Sequence, residues 1–309
     1  GVNFSQLGVV VVDEQHRFGV AQRLALKNKG HLGGETPHQL IMTATPIPRT
    51  LAMSAYADLD VSVINELHPG RTPVKTVAVP DERRPEVVAR IRHACAEGRQ
   101  AYWVCTLIEE SDVLQCQAAE ATRDELTEAL PELAIGLVHG RMKAAEKAAV
   151  MEAFKNGELD LLVATTVIEV GVDVPNASLM IIENPERLGL SQLHQLRGRV
   201  GRGKTESFCV LLYHGPLSAN SRQRLSVMRE TNDGFRIAEK DLELRGPGEV
   251  LGTRQTGLAQ MKIADLERDA DLLERVAPLA EALLAIQPEA AQPLIRRWLG
   301  EESGRYGQV

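Results

Sequence analysis

The chain has 309 residues, a length that typically holds about two domains. Lys and Arg total 35 and Asp and Glu total 42, so the formal net charge is −7. A hydrophobic content of 44% with 25% charged residues excludes a disordered chain, a collagen-like repeat and a small disulfide scaffold. Because the chain is acidic overall, any contact with nucleic acid must come from local basic clusters rather than from bulk charge.

The sequence shows no secretory signal and no paired cysteines, and we therefore expect a cytoplasmic protein. The apolar runs are shorter than the ~20 residues that cross a membrane, and no basic-then-apolar leader opens the chain. The chain begins with Gly1 instead of Met, which suggests part of a longer protein, and we expect a monomer that does not bind membranes. The cysteines form no CxxC pair and no metal-ligand spacing, so we expect reduced thiols at Cys95, Cys105, Cys116 and Cys209.

Short apolar runs alternate with helical patterns along the chain, which predicts an α/β fold with a parallel sheet. Continuous Val and Ile without polar alternation predicts strands that are buried on both faces. We predict strands at 7–13, 39–43, 76–79, 100–106, 134–138, 160–164, 179–182 and 207–213. We predict helices at 17–29, 49–58, 85–97, 115–129, 143–155, 191–196, 222–231 and 235–244, and a helical tail over about 263–299.

A turn-rich segment at 68–73 is the best candidate for a linker between domains. The alternating pattern that follows it makes a self-sufficient α/β domain up to about residue 215, where the strand pattern stops. We therefore expect domains at 1–68, 69–215 and 216–309.

Two adjacent carboxylates, Asp13 and Glu14, follow the first predicted strand. Ligands of open α/β sheets bind at the carboxyl ends of strands. At a nucleoside triphosphate, Asp13 would hold Mg²⁺ through its water shell, and Glu14 would orient or deprotonate the attacking water. The alternative is an ordinary strand that happens to end in acidic residues.

Hydroxyl side chains follow the second predicted strand. Thr43 and Thr45 lie at its carboxyl end, where their hydroxyls could hydrogen-bond His16 and sense whether the neighbouring strand end is engaged. The alternative is a turn of Thr and Pro residues.

A cluster of arginines and glycines lies at 195–202, with the sequence QLRGRVGR. Glycines permit a close approach of backbone, and a guanidinium that stabilises a transferring phosphoryl group contributes about 10³–10⁵ in rate. The cluster therefore predicts a phosphate site, and the alternative is a solvated basic surface.

The segment GRVGRGKT at 198–205 formally matches the phosphate-loop pattern GxxxxGK[ST]. A phosphate loop works when a strand enters it and a helix leaves it. Here a predicted helix at 191–196 enters and a predicted strand at 207–213 leaves, so we reject this assignment. The sequence holds no second match.

A fourth motif follows the predicted strand at 160–164. Thr165 and Thr166 carry hydroxyls suited to a nucleic-acid phosphate, and Gly171 and Asp173 suit a ribose. The alternative is a buried strand with no binding role.

In this order the motifs resemble those of superfamily-two helicases and translocases. The matching strings are DEQH at 13–16, TAT at 43–45, HGR at 139–141, ATTVIEVGVDVP at 164–175 and QLRGRVGR at 195–202. Within the superfamily, four longer strings resemble the bacterial RecG family of ATP-dependent DNA helicases. They are DEQHRFGVAQR at 13–23, TATPIPRTLAM at 43–53, WVCTLIEESD at 103–112 and GFRIAEKDLELRGPGEVLGTRQTG at 234–257. The last looks like that family's translocation motif, a helical hairpin with a loop.

The resemblance implies roles for individual residues. Asp13 would bind Mg²⁺, and Glu14 would act on the attacking water. The γ-phosphate would face Gln195, Arg199 and Arg202, with Arg202 as the arginine finger. The remaining nucleotide contacts would be His16, Gly171 and Asp173. The residues for DNA contact or coupling would be Thr43, Thr45, His139, Thr165, Thr166, Glu243, Arg245, Arg254 and Gln255.

The resemblance also implies an architecture and an activity. We expect tandem RecA-like units, with 1–68 the C-terminal half of the first and 69–215 the second, followed by a helical translocation hairpin and C-terminal segment at 216–309. The intact protein would use ATP and Mg²⁺ to remodel branched duplex DNA, stalled replication forks and Holliday junctions in repair and recombination. Because the phosphate loop, the adenine-side motif and the wedge domain are missing, the fragment alone is expected to be inactive.

Three alternatives remain open at this point. The transcription-repair coupling factor family shares the hairpin motif, although Gln15, His16 and the string PGEVLGTRQ at 247–255 favour RecG. A catalytically dead DNA-binding module fits the missing phosphate loop. A phosphoryl-transferring kinase rests only on the rejected match at 198–205.

Overall fold

The computed structural model describes residues 7–14, 37–43, 62–64, 66, 72–106, 112–166, 174–203, 205–245 and 270–299. The chain divides into two compact units, one formed by Gly1–Ser62 with Arg245–Val309 and the other by Val63–Leu244. In the described part of the chain, no helix is both long enough and apolar enough to span a membrane.

The unit that contains both chain termini has a pair of parallel strands, β1 (Val9–Asp13) and β2 (His38–Met42). One face of β1 exposes Val9 and Val11, each at 57%. The prediction of burial on both faces is therefore wrong for this strand, because on that face no described element covers the pair.

Two helices of the same unit are described near the C-terminus, α7 (Ala270–Ile286) and α8 (Ala291–Leu299). The expected continuous tail is interrupted by a 3₁₀ turn at Pro288–Ala290, preceded by Gln287 at φ −140°. Proline disfavours the helical conformation in the residue before it, and Gln287, which precedes Pro288, is not helical, which explains the break.

The second unit is built on a six-stranded, wholly parallel sheet. Its strands are β3 (Lys75–Pro80), β4 (Gln100–Val104), β5 (Ile135–Val138), β6 (Leu161–Ala164), β7 (Ala177–Glu183) and β8 (Phe208–Tyr213). They lie in the order β3-β8-β7-β4-β6-β5. The strands β4, β6 and β7 are buried at every residue, as their continuous apolar sequence predicts.

Helices cover both faces of this sheet. The α-helices described in the unit are α1 (Arg84–Ala96), α2 (Asp112–Ala129), α3 (Ala144–Lys155), α4 (Leu190–Arg197), α5 (Ala219–Glu230) and α6 (Gly234–Arg245, whose last residue belongs to the other unit). Successive strand residues point to opposite faces. Accordingly Trp103 packs with α1 and α2, whereas Tyr102 packs with Phe154 of α3 and with the α4–α6 layer. This three-layer arrangement confirms the predicted α/β class.

The helices α5 and α6 belong to the core of this unit. Leu225, Met228 and Ile237 are buried in the same cluster as the sheet residues, although we expected a domain boundary at 215–216. The compact unit extends to Leu244. The three domains expected from the sequence stay a prediction, and their boundaries differ from those of the two compact units.

All four cysteines are buried free thiols. Burial raises the pKa of Cys95 to about 11 and that of Cys209 to about 12. A thiol with a raised pKa is a poor nucleophile and a poor metal ligand, which agrees with the expectation of structural, reduced cysteines.

Candidate functional site

The structure brings Asp13, Glu14 and Thr43 to the same edge of the small sheet. Asp13 pairs with Met42 in the parallel register, so Thr43 follows directly beside the two carboxylates. Glu14 has φ 51°, in the left-handed region, and its backbone N–H donates to Asp13 Oδ1 at 2.9 Å. A non-glycine residue in this region is strained, and such strain concentrates at functional sites.

The carboxylate at this edge fits the expected metal. In the structure's described segments no group of three or more His, Cys, Asp and Glu side chains forms a protein cage for a metal ion. Mg²⁺ usually keeps several waters and uses one or two carboxylates together with substrate phosphates. The exposed Asp13 carboxylate suits that role.

A second group of predicted residues lies at the carboxyl edge of the six-stranded sheet. Val138 pairs with Ala164, which places His139 next to Thr165 and Thr166. The Thr165 N–H donates to the Val138 carbonyl at 3.1 Å. The three residues that the sequence predicts to contact DNA backbone therefore directly follow the ends of two adjacent strands.

Two polar atoms at this edge are shielded from water. Thr165 is 2% exposed, and neither its hydroxyl nor His139 Nδ1 has a hydrogen-bond partner among the described residues. His139 Nε2 lies 3.6 Å from Glu120 Oε1. Buried polar atoms are normally hydrogen-bonded, so these two are exceptions among the described residues.

The same edge contains a polar network that sequence reasoning missed. The Thr106 hydroxyl donates to the carbonyl of Asn184 at 3.1 Å, and Asn184 has φ 46°. Arg84 makes an ion pair with Glu183 and lies 4.9 Å from the centre of the Trp103 ring. These partners are far apart in sequence, and no local pattern links them. The network fixes the ends of β4 and β7 beside the candidate DNA-contact residues.

The arginine-bearing loop lies at the opposite edge, where the strands begin. Lys75 N–H donates to the Ser207 carbonyl at 2.9 Å. Lys75 is the first residue of β3, and Ser207 immediately precedes β8. A Cβ on Gly201, which has φ +77°, would lie 2.7 Å from Val74 Cγ2, and a Cβ on Gly203 would lie 2.4 Å from the Pro175 carbonyl oxygen. The glycines therefore let the loop pack closely against the Val74 side chain and the Pro175 backbone, a structural reason separate from any approach to phosphate.

The arginines of this segment differ in their surroundings. Arg197 is 3% exposed and donates from Nη1 to the carbonyls of Met228 at 2.9 Å and Thr231 at 2.8 Å. Burial lowers the pKa of its guanidinium. Arg199 is half-buried, and the exposed Arg202 donates from Nε to the Gly198 carbonyl at 3.1 Å. Arg202 is thus the one of these three with the most solvent-accessible side chain.

The structure supports the rejection of a phosphate loop at 198–205. The helix α4 enters this segment and ends at Arg197, and the strand β8 leaves it from Phe208. The half-buried Gln195 lies on the last turn of α4. A loop between a helix and a strand presents no helix N-terminus to a phosphate.

Several predicted residues are only partly described or lie outside the described residues. Glu243 is exposed on α6, where its carboxylate accepts a hydrogen bond from Lys240 Nζ at 2.5 Å, and Arg245 is the last residue of that helix. The predicted residues outside the described ones are His16, Thr45, Gly171, Asp173, Arg254 and Gln255.

Two protein families match separate parts of the chain. Residues 86–204 match the family described as Helicase conserved C-terminal domain. Residues 231–298 match ATP-dependent DNA helicase RecG, domain 3, C-terminal. The first match covers most of the six-stranded sheet, and the second begins immediately after α5.

The chain is similar over its whole length to curated proteins named ATP-dependent DNA helicase RecG. The protein from Escherichia coli (strain K12) is 69% identical over 309 residues, which are 100% of this chain and 44% of the relative. That from Pasteurella multocida (strain Pm70) is 67% identical, over 97% of this chain and 43% of the relative. A solved structure described as RecG bound to a three-way DNA junction is 44% identical with a TM-score of 0.66, over 89% of this chain and 34% of that one. The chain belongs to the RecG family.

Proposed function

We propose that the full-length protein of which this chain is a part is an ATP-dependent DNA helicase that remodels branched DNA in repair and recombination, including stalled forks and Holliday junctions. The observation that carries the proposal is the 69% identity over the whole chain to the Escherichia coli K12 relative. The similar structure bound to a three-way junction supports branched DNA as the substrate. Because the chain spans 44% of that relative, the activity is proposed for the whole protein.

For ATP hydrolysis by the full-length protein we assign roles to Asp13 and Glu14 and to three residues of the 195–202 segment, as the resemblance implies. Bound Mg²⁺ supplies neutralisation of the phosphate charge. Asp13 would hold its water shell, and Glu14 would orient the attacking water and accept its proton. Arg202, with Gln195 and Arg199, would stabilise the charge that develops on the γ-phosphate. His16, Gly171 and Asp173 complete the proposed nucleotide contacts by resemblance.

For DNA binding we assign the carboxyl edge of the six-stranded sheet. His139, Thr165 and Thr166 are neighbours there, and hydroxyl and imidazole groups donate readily to phosphate oxygens. Phosphate contacts position a protein without reading sequence, which suits a protein that moves along DNA. Thr43 and Thr45 would sense the nucleotide state, and the proposed residues that couple it to movement are Glu243, Arg245, Arg254 and Gln255.

We propose that the chain alone does not hydrolyse ATP, because its sequence holds no phosphate loop with the strand–loop–helix order. We also propose a monomeric, cytoplasmic protein. The similarity to RecG over the whole chain favours this family over a transcription-repair coupling factor.

The test uses the full-length protein and a three-way DNA junction, with linear duplex of the same length and composition as the control. We expect ATP hydrolysis that the junction stimulates more than the duplex does, together with separation of the junction strands. Hydrolysis that is equal without DNA, or junction binding without any turnover, contradicts the proposal.

A further inference from the structure

A buried guanidinium joins two helices on one face of the six-stranded sheet. Arg197 is the last residue of α4 and lies at 3% exposure. Its Nη1 donates to the carbonyls of Met228 and Thr231, which end α5, and its Nη2 lies 3.2 Å from His194 Nδ1. A charged donor buried on two carbonyls makes stronger hydrogen bonds than a neutral one. This contact therefore fixes the C-terminal end of α4 to the end of α5.

A second contact ties the other end of α4 to α6. The Ser191 hydroxyl lies on the first turn of α4 and donates to Asp241 Oδ2 at 3.1 Å. Asp241 is 8% exposed. Between the two polar contacts, Leu193, Leu196 and Ile237 are buried in one apolar cluster. The helix α4 is thus held at both ends by the helix pair that follows the sheet.

These contacts connect the two family matches. Arg197 and Ser191 lie within the Helicase conserved C-terminal domain match at 86–204. Thr231 and Asp241 lie within the RecG domain 3 match at 231–298. Arg197 precedes Arg199 by two residues and the exposed Arg202 by five. A shift of the helix pair would therefore be transmitted through α4 to the loop that carries the proposed phosphate-binding arginines.

We propose that Arg197 is a positioning residue that links the arginine loop at 198–203 to the α5–α6 pair, and that Ser191 and Asp241 provide the second contact of this link. The inference rests on the proposed function, because it assumes that Arg199 and Arg202 act on ATP. Arg197 itself is turned into the protein and serves the reaction only through the placement of those two residues.

The residue type fits this role. Two carbonyl acceptors and the neighbouring imidazole require several donors in one plane, which a guanidinium presents in a rigid fork. Methionine has a similar length and would leave both carbonyls without this donor. Lysine keeps the charge and donates as a point, so it preserves part of the contact.

The experiment compares Arg197→Met, Arg197→Lys and Ser191→Ala in the full-length protein. Arg92→Met is the matched control, because Arg92 also joins two helices through a carbonyl, that of Ala129, and a carboxylate, that of Glu132. The measured quantities are kcat and KM for ATP with a three-way junction, the number of junctions separated per ATP hydrolysed, and the melting temperature.

For Arg197→Met we expect kcat to fall by about tenfold with KM for ATP within about twofold, since displaced catalytic groups cost rate more than binding. We expect the yield of separated junctions per ATP to fall by about fivefold, with Arg197→Lys and Ser191→Ala lying between this variant and the wild type. Arg92→Met should match the wild type in kcat and in the yield of separated junctions per ATP. A loss of folded protein lowers all rates together and leaves the yield per ATP unchanged.

The inference is overturned if the yield per ATP and the kcat of folded Arg197→Met equal those of the wild type. If Arg197→Met does not fold, an unchanged yield per ATP and kcat in Ser191→Ala overturns it. Failure of the proposed function is a different result, since the wild type itself would then show no hydrolysis that depends on the junction.

Discussion

The two edges of the six-stranded sheet are built in opposite ways. At the carboxyl edge, Thr165 and His139 have buried polar atoms that no described residue hydrogen-bonds. At the amino edge, the loop at 198–203 packs its glycines tightly against the side chain of Val74 and the backbone of Pro175 and leaves the Arg202 side chain exposed. One edge is shielded and polar, and the other is closely packed with a charged group outside.

This difference shows that one motif can contain both a buried structural arginine and an exposed one. In the string QLRGRVGR, Arg197 is a buried anchor on two carbonyls, whereas Arg202 is exposed. Residue type and spacing do not distinguish the two, and burial does. The comparison predicts that substitutions of the tightly packed glycines lower stability, and that substitutions at strand ends change activity with little change in stability.

The largest effect is expected at the carboxyl end of β1. Glu14→Gln in the full-length protein should slow ATP hydrolysis by about 10³, because an amide cannot accept the proton of the attacking water. Nucleotide binding should stay within about twofold, since the site keeps its shape and Asp13. Single-turnover hydrolysis and equilibrium binding of a fluorescent ATP analogue measure the two quantities. A variant with a hydrolysis rate like that of the wild type rules out Glu14 as the base.

The next largest effect concerns the packed amino edge. Gly203→Ala places a Cβ 2.4 Å from the Pro175 carbonyl oxygen, and such overpacking costs about 1–3 kcal/mol of unfolding free energy. Chemical denaturation of the full-length protein measures the change in unfolding free energy, with the unfolding transition of each domain fitted separately. Gly215→Ala is the control, because its Cβ would meet nothing within 4 Å. Equal stability of the two variants contradicts the close packing of the loop.

A smaller effect is expected at the carboxyl edge. Thr165→Val keeps the shape and removes the hydroxyl, which has no hydrogen-bond partner among the described residues, so the unfolding free energy should change by less than about 1 kcal/mol. The concentration of junction that gives half-maximal ATPase should rise by about tenfold, since the variant cannot make the proposed hydrogen bond from Thr165 to a DNA phosphate. Titration of the ATPase with junction DNA tests this. A loss of stability without weaker DNA binding would make Thr165 a scaffold residue.

The smallest effect is a pH dependence at the start of α1. Asp81 and His214 form an exposed hydrogen-bonded ion pair that raises the pKa of His214 and lowers that of Asp81. The histidine contribution is complete below its ordinary pKa of 6.5 and is lost as pH rises through the raised value. The carboxylate contribution is present above the ordinary 3.8 of aspartate and is lost as pH falls through the lowered value.

The melting temperature of His214→Gln should therefore fall below that of the wild type mainly between pH 3.8 and 6.5. The difference should shrink above that range, and Asp81→Asn should show the same pattern. Thermal melts across pH provide the measurement. A difference between His214→Gln and the wild type that is constant across pH would mean that the ion pair does not contribute.

The regular elements were predictable because their signals are local. The apolar run at 160–164 yielded β6 and the pattern at 143–155 yielded α3, each within one residue. The reversed order around 198–205 was also predictable, since it needs only the neighbouring helix and strand. The alignment of His139 with Thr165 follows from the parallel order, but the strand neighbours themselves are set by long-range packing.

The missed features depend on contacts between distant residues. The burial of Arg197 depends on carbonyls 31 and 34 residues away, and the pairing of Arg84 with Glu183 spans 99 residues. The exposure of one face of β1 depends on what covers the strand, and the periodicity of four consecutive valines does not reveal it. No local pattern contains this information.

Glu14 and Arg202 are both proposed to act in ATP hydrolysis by the full-length protein. We would measure single-turnover ATP hydrolysis for Glu14→Gln, Arg202→Ala and the double variant of the full-length protein bound to a three-way junction. Residues that act as a unit are non-additive, so each single variant should lose nearly all hydrolysis and the double variant should be no slower than the slower single one. Wild-type hydrolysis by Arg202→Ala, or losses that multiply in the double variant, would contradict the claim.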